Sequence, residues 1–338
     1  MVKPPFLAAA EEGARLKPML RRWLFLLIVL FAPAAQAETY PNRPIRLFIP
    51  LAAASAVDVV ARIVADKMST ILGQNLYVEN EPGAAGLIGM RAGARAEPDG
   101  YTVLAVNDSV ITMLPNVRSD AGYDPFRDFV PVTQLVGIQW VLAVNPSLPV
   151  ENVRDLVALA RANPGSINYA SGGYGSPQHI AAEMFARAVK AEMTHVPYKG
   201  VTPAVTDVVA GNAPIVFTAY STISQFLPDH RIRVLAALTP ARLPQLPDVP
   251  TVAESGVPGF SFGTWAALLV PAKTPPEIVA KLNAAAVMAL NDPALRKKLT
   301  DLGYEVVGSS QEDFAAFMRM EYERTGDLVR AANIHLEN

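Results

Sequence analysis

The chain has 338 residues, 51% of them hydrophobic and 18% charged, with a formal net charge of −2 and no cysteine. This composition suits a globular protein with material for about two domains and excludes a disordered or fibrous chain. Disulfides and thiolate metal sites are excluded outright, and the near-neutral balance offers no basis for binding nucleic acid or an anionic membrane surface.

At the N-terminus, Arg21 and Arg22 precede the apolar run WLFLLIVLFAPAA and the small-x-small triplet Ala35-Gln36-Ala37. That is the pattern of a secretory signal peptide cleaved after Ala37. A start at Met19, MLRRWLFLL, gives it ordinary length, and Trp23 to Ala35 is shorter than the ~20 residues a bilayer-spanning helix needs. Residues 1–37 hold five basic and two acidic side chains, so their removal moves the net charge from −2 to −5. The mature protein is expected to be exported from the cytoplasm.

From Ile45 onward, short apolar runs alternate with amphipathic stretches. IRLFIP reads as a strand, followed by a helix over 56–72. Val57, Val60, Ala61, Val64, Met68, Ile71 and Leu72 share one face of it, and Gly73 stops it. LYVEN, a helix near 85–96 and YTVLAVN follow. A second series begins after WVLAVNP: a helix over 153–162, INYAS, a helix over 177–190, THVPY, a helix over 203–210, PIVFTAY and RVLAALT. FSFGTWAALLVP comes next, and Thr274-Pro275-Pro276-Glu277 reads as a capping box that opens the C-terminal helices.

The alternation predicts an α/β fold of two lobes, 38–141 with 264–338 and 142–263, joined by a two-strand hinge near Val141 and Thr264. Ligands of open α/β sheets bind at the carboxyl ends of strands, so the cleft between lobes is the expected site.

Three strand-to-helix turns bear on that site. In PLAAASAVD, Ser55 is the expected N-cap and Asp58 the third helical residue, whose carboxylate bonds back to the Ser55 amide in a capping box. That is a purely structural role. Alternatively, the small side chains admit a ligand to the helix start, where free N–H groups and the macrodipole favour an anion. The two are compatible, since a cap uses only part of four free donors.

In NYASGGYGSPQH a strand ends at Ala170, glycines 172, 173 and 175 follow, and Ser176 and Pro177 open a helix as cap and first residue. The stretch lacks the third glycine of a dinucleotide fingerprint, and no GK[ST] marks a P-loop. HVPYKGVTPAV repeats the design, with Thr202-Pro203 opening the helix and Lys199 either a solvated lysine or a source of positive potential. Three turns built alike point to a small acid as ligand.

No chemistry is assigned. Ser171, Ser176, His179 and His195 make no G-x-S-x-G elbow and no nucleophile, base and acid set, and the 4 histidines lack zinc-ligand spacing. No catalytic residue, metal or cofactor is expected.

The blocks VENEPGAAGLIG, EPDGYTVL, YDPFRDFVPVT, NYASGGYGSPQHIAAEMF, HVPYKG with TPAVTDVVAG beyond Val201, and LPDVPTVAESGVPGF occur in this order. Together they resemble the Bug family, the periplasmic substrate-binding receptors of tripartite tricarboxylate transporters. The resemblance implies a type II periplasmic-binding-protein fold that closes on a small carboxylated acid. It also implies, as partners, the membrane subunits of a sodium- or proton-driven secondary transporter. A monomer is expected. A ligand-sensing protein that signals to a membrane partner is the alternative, and a hydrolase a more remote one.

Carried over by position, the binding candidates are Ala52, Ala53, Ala54, Ser55 and Asp58 in the first loop. Asn107, Asp108 and Ser109 follow, then Ser171, Gly173, Tyr174, Gly175, Ser176 and His179, and finally Ala219 and Tyr220. The chain departs from the family where Ala52 to Ala56 replace prolines and glycines. Alanine resists positive φ, so either this backbone keeps negative φ or the site is reshaped. Thr218 stands where the family has an aspartate.

Overall fold

The computed structural model describes residues 40–118 and 120–331, and the expected signal peptide, 1–37, lies outside them. Strand β1 (Ile45–Ile49) turns sharply into helix α1 (Ala56–Leu72), which buries Val57, Val60, Ala61, Val64 and Met68 as the spacing predicts and Ala65 besides, while Ile71 and Leu72 are only half-buried. Gly73 ends α1 in the left-handed conformation at φ 69°. After β2 (Leu76–Asn80), the helix expected near 85–96 is confined to α2 (Leu87–Gly93). Ala84 and Ala85 hold positive φ, 46° and 55°, and so keep the preceding turn out of the helix. β3 (Thr102–Asn107) and a short α3 (Leu114–Val117) complete the first series.

β4 (Phe129–Val144) runs for 16 residues, far beyond the WVLAVNP stretch, because partners are present along its whole length. Next come α4 (Val153–Ala162), β5 (Asn168–Ser171), α5 (Pro177–Val189), β6 (Thr194–Pro197), α6 (Val201–Ala210), β7 (Ile215–Ala219), the short α7 (Tyr220–Ile223) and β8 (Arg233–Ala237). The chain returns through β9 (Gly263–Pro271), α8 (Pro276–Leu290), α9 (Pro293–Asp301), β10 (Tyr304–Val306) and α10 (Gln311–Ala331). All these elements belong to one unit, Pro41–Asn338, and no helix among the described residues is long and apolar enough to cross a membrane.

The strands run in the order β2-β1-β3-β9-β4-β7-β5-β6, with β8 and β10 also paired to β4. β1, β2 and β3 are mutually parallel, as are β5, β6 and β7, whereas β4 and β9 run antiparallel to their neighbours. β4 carries the ladder from one parallel group to the other. It pairs with β9 from Phe129 to Gln139 and with β7 from Trp140 to Val144. The result is an α/β mixed sheet, as the alternation of elements predicts. One apolar cluster gathers Trp265, Phe314, Leu104 and Met318, and another gathers Val205, Val208, Tyr220 and Ile223.

Two helix starts differ from expectation. α6 begins at Val201 rather than Pro203, because Gly200, at φ 123°, takes the cap position without any side-chain bond. α8 begins at Pro276 with Pro275 as cap and no capping box. There the Thr274 hydroxyl donates backwards to the Pro271 carbonyl at 2.7 Å, one residue too early to reach the helix amides.

Candidate functional site

The loops beyond the carboxyl ends of β1, β2, β5 and β6, with the last residues of β3 and β7, surround one cavity of about 750 Å³. This is where parallel strands deliver their ligands, since the helix that follows each strand starts there.

The β1–α1 turn presents Ala52, Ser55 and Ala56 to the cavity. Ser55 is the N-cap, and its Oγ accepts from the Asp58 amide at 3.3 Å. The reciprocal bond differs from the capping-box expectation: Asp58 Oδ2 accepts from the Ala54 amide at 2.8 Å, while the Ser55 amide donates to the Ala52 carbonyl at 3.2 Å. The reason is Ala54, whose φ of 58° turns its N–H onto the carboxylate. Positive φ thus occurs here without glycine. Asp58 also accepts from Arg62 Nε and Asn80 Nδ2, each at 2.9 Å, and so fastens the turn from behind. Ala56 and Val57, ahead of the capped amide, have no intrahelical acceptor.

The β5–α5 turn presents Gly172, Gly173, Tyr174, Ser176 and Gln178. Ser176 Oγ accepts from the His179 amide at 3.4 Å, and Pro177 at the first position has no N–H, which leaves the Gln178 amide at the helix start. Behind the loop, Ser171 Oγ lies 2.5 Å from His195 Nε2 and accepts from the Gly173 amide at 3.0 Å, while His179 Nδ1 accepts from the Gly175 amide at 3.2 Å. His179 and His195 stack with centroids 4.2 Å apart, and Tyr169 stacks on His195 at 5.1 Å. Burial and the neighbouring His179 push His195 down to about 4, and burial lowers His179 as well.

Sequence separation conceals the Ser171–His195 contact. Ser171 is fully buried and outside the cavity lining, and among the described residues no acid orients His195 Nδ1, so the pair does not have the geometry of a hydrolytic triad.

The β6–α6 turn brings Tyr198, Lys199 and Gly200 to the cavity. It also touches the first turn. Thr202 Oγ1 donates to the Ala53 carbonyl at 2.6 Å, and a Cβ placed on Gly200 would lie 2.7 Å from that of Ala52. Only glycine permits this approach.

Strands β4 and β9 supply Ile138, Trp140 and Thr264 to the lining. Trp140 Nε1 donates to Thr264 Oγ1 at 2.8 Å, and its ring meets Phe262 edge-on at 5.0 Å. Among the described residues the lining carries two cations, Arg118 and Lys199, and no aspartate or glutamate. Arg118 is paired with Asp120 at 3.0 and 3.1 Å.

Of the sequence candidates, Ala52, Ser55, Asn107, Gly173, Tyr174, Ser176 and Ala219 line the cavity. Ala53, Ala54, Asp58, Ser171, Gly175 and His179 stand behind it in the two turns just described. Ser109 donates to Asn107 Oδ1 at 3.0 Å, and Tyr220 packs against Gly303. Asp108 is also outside the lining. Burial, then the charge of Glu321, raise its carboxyl well above the ordinary range, and its Oδ1 has no partner among the described residues.

Sequence reasoning did not name the Pro82–Gly86 loop, Trp140, Gln178, Arg118 or Thr264 as binding candidates, although Thr264 was expected at a chain crossing and the loop lies in a block that resembles the family. The loop had a usable signal, since it follows β2 as the other turns follow their strands.

The family described as "Tripartite tricarboxylate transporter family receptor" matches residues 60–334. A protein from the tcbD-tcbE intergenic region of Pseudomonas sp. strain P51 is 35% identical over 297 residues, 88% of each chain. BugT of Bordetella pertussis is 31% identical over 93% of this chain and 97% of its own. Among solved structures, Rpa4515 of R. palustris, determined with adipate, superposes with a TM-score of 0.85 at 32% identity, covering 88% of this chain and 99% of that one. MatC of Rhodopseudomonas palustris, with bound malate, superposes with a TM-score of 0.82 at 30% identity, covering 86% and 100%. With its α/β fold, its strand-end cavity and a match along most of its length, this chain belongs to the tripartite tricarboxylate transporter receptor family.

Proposed function

We propose that the protein is a periplasmic receptor, exported by a cleaved N-terminal signal peptide, that captures a small organic acid and delivers it without chemical change to the membrane subunits of a tripartite secondary transporter. One observation carries the ligand class: the N-termini of α1, α5 and α6 open on a cavity whose lining includes Arg118 and Lys199 but no carboxylate among the described residues. Each helix start offers unpaired amides and the positive end of its dipole to an anion. The adipate and malate held by two similar proteins belong to the same chemical class.

Capture works by closure of two lobes, 38–141 with 264–338 and 142–263, about β4 and β9. Donors from both sides then surround the carboxylate away from water, where charge-assisted hydrogen bonds are strongest.

Thermal unfolding of protein purified from the periplasm tests this, with carboxylic acids set beside their neutral amides. A ligand of the folded state at a hundredfold excess over Kd adds about 2.7 kcal/mol. Stabilisation by an acid and none by its amide is the expected result. Equal shifts, or no shift with any acid, reject the reading.

A further inference from the structure

The hydrogen bonds already made around the cavity restrict what the middle of a ligand can be. Thr222 Oγ1 donates to the Ala219 carbonyl at 2.7 Å and meets Thr218 Oγ1 at 2.8 Å. Tyr198 turns its hydroxyl onto Asp207 at 2.7 Å, and Trp140 Nε1 is engaged by Thr264 at 2.8 Å. The side-chain donors left on the lining are Asn107 Nδ2, Gln178, Lys199 and the hydroxyls of Ser55, Tyr174, Ser176 and Thr264; those of Ser55, Ser176 and Thr264 accept but do not donate in the bonds above. Leu114, Ile138, the Trp140 ring and Ala219 then offer hydrocarbon.

A hydroxyl buried against Leu114, Ile138 and Ala219 loses its water and gains no side-chain partner from them. An ammonium group meets two cations and no carboxylate. Beside Ala219, Thr218 is a neutral, fully buried side chain bonded to Thr222.

Resting on the receptor reading above, we propose that the ligand is a carboxylate with an apolar body, a hydrocarbon chain or ring with no hydroxyl or ammonium group between its acid end and Trp140. The acid end lies among Ser55, Asn107, Ser176 and Gln178. Trp140 is the specificity-determining residue for the rest.

Isothermal titration with matched acids tests the proposal: succinate, malate and aspartate; adipate, 2-hydroxyadipate and 2-aminoadipate; hexanoate and 2-hydroxyhexanoate. In every set that binds, the unsubstituted acid is expected to bind at least fivefold more tightly than its hydroxy or amino analogue. A smaller difference or the reverse order overturns the apolar-body proposal and leaves the acid receptor standing. If no acid in any set binds, the receptor reading falls and takes this proposal with it. Trp140→Leu is expected to weaken the unsubstituted acid at least fivefold, with folding checked by circular dichroism. Unchanged affinity in a folded variant removes Trp140 from the account, and if the variant fails to fold the matched acids decide alone.

Discussion

The hydroxyl of Thr202 donates to the carbonyl oxygen of Ala53 at 2.6 Å, joining residues 149 apart in sequence in two turns that both contribute to the cavity lining. Thr202 belongs to the α6 start and Ala53 to the β1–α1 turn, so the bond forms only while these turns are together. Thr202→Val keeps the shape and removes the donor. A net hydrogen bond contributes about 0.5–1.5 kcal/mol, so ligand Kd is expected to rise about two- to tenfold. Calorimetric titration checks this, and an unchanged Kd would mean that the contact contributes nothing to the ligand-holding state.

Ala54 sits at φ 58°, held there by the bond from its amide to Asp58. A left-handed alanine costs roughly 1 kcal/mol, which glycine avoids while losing more chain entropy on folding. Ala54→Gly is therefore expected to stabilise the protein by up to about 1 kcal/mol, measured by urea unfolding. Destabilisation would show that the Ala54 methyl makes packing contacts worth more than the strain.

His195 is held neutral in the stack with Tyr169 and His179, with Glu183 one turn beyond His179 and bonded to the Tyr169 hydroxyl at 2.7 Å. Its folded pKa, about 4, lies below the unfolded value of about 6.5. Between these limits the unfolded chain binds more protons, so stability falls as pH drops from about 6.5 towards 4. The urea midpoint at pH 5 should lie below that at pH 7, and His195→Asn should flatten the difference. A slope that persists unchanged in the variant would assign the effect to other groups.

Gly303, at φ 78°, faces Tyr220, and an added Cβ would lie 2.7 Å from Tyr220 Cδ1. Gly73, at φ 69°, has nothing within 4 Å of the same position. Gly73→Ala is therefore expected to cost only backbone strain, about 1 kcal/mol, and Gly303→Ala about 2–4 kcal/mol because overpacking adds to it. Chemical denaturation of the pair isolates the packing part. Equal losses would show that Tyr220 gives way freely.

Local chemistry made much of the molecule legible. The periodic apolar face from Val57 to Met68, the Ser55 and Ser176 caps and the left-handed Gly73 depend on residues within a turn or two of one another, so short stretches of sequence determine α1, the start of α5 and the α/β alternation. The cavity-lining positions Ser55, Gly173, Tyr174 and Ser176 followed from the same reasoning, because strand-end loops are placed by the strands they leave.

Tertiary structure alone decided what depends on distant partners. Asp58 bonds Ala54 rather than Ser55 because Ala54 takes a positive φ, and Arg62 and Asn80, the latter 22 residues on, converge on the same carboxylate. Gly200 replaces a Thr202 cap because the first turn presses against it, and Thr202 then reaches Ala53. Trp140 comes to line the cavity where β4 changes partners between Gln139 and Trp140, with Thr264 taking its N–H. A hydrogen bond across 149 or 124 residues has no periodicity or spacing to announce it, since its partners meet only after the strands between them have paired.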